Sequence, residues 1–130
     1  MSATRRSSSL LLLAAGSVLA TAGRARVPQS VAAPAGYSYT LAQAELGKAV
    51  YAAHCATCHG DKMAGKEDGM DDAPPLVDAR FDTHWRARPQ ALYSKIKLSM
   101  PQDDPGILTK DQATDVVATI LRANHVAPSP

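Results

Sequence analysis

Aromatic residues are scarce in this 130-residue chain, with one Phe, one Trp and four Tyr. They supply little of the rigid apolar bulk that usually fills a core. Cysteine is scarcer, at two residues, Cys55 and Cys58. With both in one short motif, no disulfide framework can staple the rest of the chain. The formal charge is only +2. Nothing in that balance suggests nucleic-acid binding, which usually rests on a clustered basic surface, and none is expected. No apolar run approaches the roughly 20 residues of a spanning helix, so no stable membrane insertion is expected. Strand-like alternation, internal repeats and a βαβ rhythm are also missing.

The N-terminal segment reads as an export signal. Arg5 and Arg6 form a positive start, Leu10 to Leu19 an apolar stretch, and Ala20-Thr21-Ala22 an A-x-A cleavage pattern. We expect residues 1–22 to be removed and the product to be periplasmic. Removal leaves 130 − 22 = 108 residues, about one domain. It also takes away Arg5 and Arg6 and no acids, so the mature charge is 2 − 2 = 0. Residues 23–39, rich in Ala, Pro, Ser and Gly, read as a flexible arm. The domain is expected over 40–126, with a tail at 127–130.

Three helices are expected. Thr40 with Gln43 forms a capping box opening a helix to about His54. Leu41, Ala44, Gly47, Val50 and Tyr51 recur there at helical spacing. Gly47 is a poor helix former, so its use is to admit a second helix closely. A shorter helix runs from Pro89 to about Lys97, with Leu92, Tyr93 and Ile96 on one face. Thr109 and Gln112 form a second capping box, and Val116, Val117, Ile120 and Leu121 make the last helix's stripe. Asn124 can end that helix. Residues 60–79 and 102–108 are expected as loops, from their Gly, Pro and Asp content. Asp68, Asp71 and Asp72 lack the spacing of a calcium loop.

The first helix runs into Cys55-Ala56-Thr57-Cys58-His59, a C-x-x-C-H motif. This spacing is that of c-type haem attachment. The thiols add across the vinyl groups, and the adjacent imidazole can bind the iron. One motif means one haem. A thioredoxin-like site would need a βαβ setting. A zinc site would need further ligands; it could recruit His84 or His125, but no spacing recommends either.

The order of these elements resembles the class I cytochrome c family over roughly Leu41 to Asn124. Pro74-Pro75-Leu76, Phe81, Trp85, Leu92-Tyr93, Ile96, Met100-Pro101, Pro105-Gly106 and Asp115-Val116-Val117-Ala118 are similar to small periplasmic cytochromes. Some of those accompany pyrroloquinoline quinone-dependent dehydrogenases. The resemblance implies an all-α cytochrome c fold around one covalent haem c. It implies thioether attachment at Cys55 and Cys58, His59 as proximal ligand and Met100 as distal ligand. It further implies that the Pro74 carbonyl holds the His59 imidazole and that Trp85 lies near a haem propionate. Thr119 departs from the pattern, which often has an aromatic residue there to meet Tyr51. Among other distal candidates, Met63 lies only four residues after His59, Met70 sits in the long loop, and His84 and His125 read as surface or packing residues.

His/Met ligation would close the iron and suit a one-electron carrier rather than an enzyme. The expected role is transfer from a dehydrogenase donor to an oxidase or another cytochrome in the respiratory chain. Lys95 and Lys97 are candidate docking residues. Two alternatives stay open: a haem subunit of a stable dehydrogenase complex, and, without Met100 ligation, a gas-binding or peroxide-reactive protein.

Overall fold

A computed structural model of the chain describes residues 37–65 and 73–129. The export signal, most of the expected arm, the Asp68, Asp71 and Asp72 group and Met70 lie outside the described residues. Within them the fold is helical, with no strand. The helices are α1 (Leu41–His54), α2 (Ala56–His59), α3 (Ala79–His84), α4 (Pro89–Ser99) and α5 (Lys110–Ala123).

Both expected capping boxes form. Thr40 accepts from the Gln43 N–H at 3.1 Å, and the Gln43 side chain accepts from the Thr40 N–H at 2.8 Å. Thr109 and Gln112 repeat this at 3.1 and 2.9 Å. α4 opens on Pro89 and runs to Ser99, two residues beyond the expected end.

Packing of α1 on α5 is the main helix contact. Ala44, Gly47 and Tyr51 are the buried face of α1, whereas Leu41, at its edge, is 53% exposed. The α5 stripe is buried as expected, with Ala113, Ala118 and Thr119 added to it. Gly47 sits at the crossing. A Cβ built there would lie 2.0 Å from the Asp115 carbonyl oxygen and 2.3 Å from Thr119 Oγ1. No side chain fits that approach, which explains a glycine inside the helix. Thr119 takes the aromatic position with a polar contact, its hydroxyl donating to the Ala44 carbonyl at 2.8 Å.

The domain begins earlier than the residue-40 boundary drawn from composition. Tyr39 is 1% exposed, its hydroxyl donates to the Val126 carbonyl, and its own carbonyl accepts from the Ser129 N–H at 2.9 Å. Tyr37 packs against the same core. Two aromatic rings outweigh the loop-forming composition around them. The same bond draws part of the 127–130 tail onto the domain.

α3 was not anticipated. Asp78 caps it, accepting from the Phe81 N–H at 2.8 Å, and Phe81 is its buried anchor at 1% exposure. Six residues give too short a periodic signal to distinguish from loop.

Candidate haem-attachment site

α1 ends at His54, and the chain makes one further turn, α2, that contains the motif. This turn is held from below by backbone bonds: the His59 N–H donates to the Cys55 carbonyl at 2.9 Å and the Gly60 N–H to Ala56 at 2.8 Å. Cys55 is half-buried and Cys58 exposed, both as free thiols. Burial and the neighbouring Cys58 push the Cys55 thiol up to about 11. Desolvation disfavours the thiolate there, in the chain before any attachment to the cysteines.

The geometry around His59 is the most informative part. Its Nδ1 lies 2.8 Å from the Pro74 carbonyl oxygen. A carbonyl only accepts, so Nδ1 carries the proton and Nε2 is left with its lone pair for a metal. Such a partner fixes the ring and raises its basicity. The turn beside it is braced in several places. Gly60 takes φ +75°, and a Cβ there would lie 2.6 Å from the Gly65 carbonyl oxygen. Tyr51 donates its hydroxyl to the Gly60 carbonyl at 2.8 Å. The Leu76 N–H donates to Met63 at 2.7 Å. Asn124 reaches across from the end of α5, its amide donating to the Leu76 carbonyl at 2.7 Å. Arg86 donates in turn to the Asn124 carbonyl at 2.8 Å.

Asn124 and Tyr51 are thus supports of the Pro74 segment and the His59 turn that sequence reasoning assigned other uses. The sequence offered Asn124 only as a helix stop. Its amide has two donors, and only the fold shows where they go.

The remaining residues separate cleanly. Met63 is buried in the core at 8% exposure. His84 and His125 are exposed, with His84 Nδ1 near the Arg80 carbonyl of its own helix at 3.0 Å. Trp85 is half-buried against the core. Met100 is half-buried at the end of α4, outside the hydrogen bonds that join His59 to Pro74. Leu98 and Ile107, on either side of Met100 in the chain, are 72% and 49% exposed. Among the described residues no cluster of three His, Cys, Asp or Glu side chains gathers. A groove of about 560 Å³ between α1 and α5, lined by Lys48, Met63, Arg122 and His125 among others, touches the motif only at Ala56 and includes neither cysteine nor His59.

The donor set therefore fits a haem: two unbridged thiols, an imidazole with Nε2 available, and apolar side chains exposed beside a methionine. Residues 42–119 match the family model described as cytochrome c oxidase, cbb3-type, subunit III. The chain belongs to this family of c-type cytochromes. No curated protein and no solved structure compared with the chain matches it. The cytochrome carries a covalently bound haem c, with Cys55 and Cys58 at the spacing that attachment requires. It is a haem-based electron carrier with an all-α fold. Among the described residues no helix is long and apolar enough to cross a membrane.

Proposed function

We propose that this cytochrome is a periplasmic one-electron carrier held at His/Met ligation, exported by a leader cleaved after Ala22. Cys55 and Cys58 hold the haem as thioethers. His59 Nε2 and the Met100 sulfur would be the groups that hold the iron. When bound, the haem supplies the Fe(III)/Fe(II) couple. The observation that carries this reading is the 2.8 Å contact of His59 Nδ1 with the Pro74 carbonyl, which sets the tautomer a proximal ligand needs. Met100 excludes exogenous ligands, and its thioether raises the reduction potential. Trp85 would offer its indole N–H to a propionate. The donor is a dehydrogenase, with a quinone-cofactor alcohol or sugar dehydrogenase the favoured class, and the acceptor an oxidase or another cytochrome of the respiratory chain. Lys95 contributes to brief docking, of the small and weak kind that electron transfer uses.

The family description names an oxidase subunit, which favours a second reading: residence in a stable complex. Co-purification with a large redox partner at a fixed ratio separates that from a free shuttle.

The test is the ferrous absorption spectrum with and without carbon monoxide. A low-spin c-type spectrum that carbon monoxide leaves unchanged is expected. Ready binding would mean an open distal position and place gas or peroxide chemistry ahead. A protein made with haem-attachment machinery that shows no covalent haem spectrum would end the reading.

A further inference from the structure

The segment that carries Met100 leaves α4 at Ser99 and rejoins the helical framework at the Thr109 cap. Its own hydrogen bonds are short-range. The Met100 N–H donates to Ile96 at 3.2 Å, Asp104 to Pro101 at 3.3 Å, and Ile107 to Asp104 at 3.4 Å. None of these joins the start of the loop to its end. One bond does so among the described residues: Lys97 Nζ donates to the Gly106 carbonyl at 3.2 Å, nine residues along. Lys97 is half-buried in the last turn of α4, where a cation also meets the negative end of the helix dipole.

We infer that Lys97 is a positioning residue that clamps the Met100 loop shut, rather than a docking residue. The bond turns an otherwise open segment into a ring closed through one ammonium–carbonyl contact. Opening it lengthens the untethered stretch on which Met100 sits and raises the fraction of time the methionine is away from the iron. The inference rests on Met100 as the distal ligand.

Imidazole binding to the ferric holoprotein tests it, followed together with the near-infrared methionine-to-iron charge-transfer band. Lys97→Met keeps the apolar stem and removes the donor. It should raise the apparent imidazole affinity about fivefold, the scale of one exposed charged hydrogen bond, with the band intact before imidazole is added. Lys97→Arg should return most of the difference. Lys110→Met, which removes an exposed lysine beyond the loop, should leave affinity unchanged. An unchanged affinity in Lys97→Met, or an equal rise in Lys110→Met, overturns the clamp while leaving the ligation standing. A parent protein without the band overturns the ligation and the clamp with it.

Discussion

Tyr37 and Tyr39 put the same hydroxyl into opposite situations two residues apart. Tyr39 donates to the Val126 carbonyl inside the core, whereas the buried Tyr37 hydroxyl has no partner among the described residues. Removing a paired buried hydroxyl costs about 1 kcal/mol, and removing an unpaired one relieves a desolvation penalty. Denaturant titration should therefore show Tyr39→Phe destabilised by about that amount and Tyr37→Phe unchanged or more stable. The same burial, with Tyr39 and Asp115 nearby, raises the Tyr37 phenol from 10.0 to about 12. Because the folded state holds this proton more tightly, the associated stability is complete below pH 10 and lost between pH 10 and about 12. Tyr37→Phe should flatten the alkaline fall in stability over that window. An unchanged slope would show that other groups govern it. Gly47 is the other decisive residue. Gly47→Ala drives a methyl into the Asp115 carbonyl, and overpacking of this kind costs roughly 1–3 kcal/mol or more. Its denaturant midpoint should drop well below that of an exposed control such as Ala52→Gly.

At the scale of elements, the two capping boxes do different work. Thr40 starts the helix that delivers the attachment motif, and Thr109 closes the Met100 loop. Either Thr→Ala change should cost about 1 kcal/mol. Thermal unfolding of the two variants should be lowered alike, but only Thr109→Ala should also raise imidazole affinity, because its cap anchors the loop. Equal imidazole binding in both would argue that the loop is held elsewhere. The capping boxes and α5 were legible because their signals are local: a threonine, a glutamine three residues on, and a 3.6-residue stripe. α3 was not, since six residues around one Phe carry no periodicity. The early domain edge was missed for a similar reason. Composition averages over a window, and two tyrosines in a Pro- and Ala-rich stretch do not shift the average.

For the whole molecule, the scarcity of aromatics has a consequence. The packed centre is largely the α1–α5 pair, while Leu98 and Ile107 stay exposed beside Met100. Small domains without staples rarely bury enough to be secure. The covalent haem supplies apolar bulk that the chain lacks. A Cys55→Ala/Cys58→Ala double variant should unfold over a broad, low-temperature transition by calorimetry, whereas the holoprotein unfolds in one sharp step. A sharp transition of similar midpoint in the double variant would show that the helices suffice alone.

The C-x-x-C-H spacing of Cys55, Cys58 and His59 was legible in the sequence alone, because haem attachment needs those residue types within about one turn whatever surrounds them. The starts of α1, α4 and α5 were likewise written locally, whereas the atoms that require glycine at residue 47 come from α5. The tertiary structure decided what distance along the chain conceals. Pro74 reaches His59 across 15 residues, Asn124 reaches Leu76 across 48, and Thr119 reaches Ala44 across 75. A hydrogen bond depends on atoms meeting within about 3 Å. Spacing predicts such a meeting only within a turn or two of helix, and beyond that the packing of α1 on α5 and the path of the loops determine the partners.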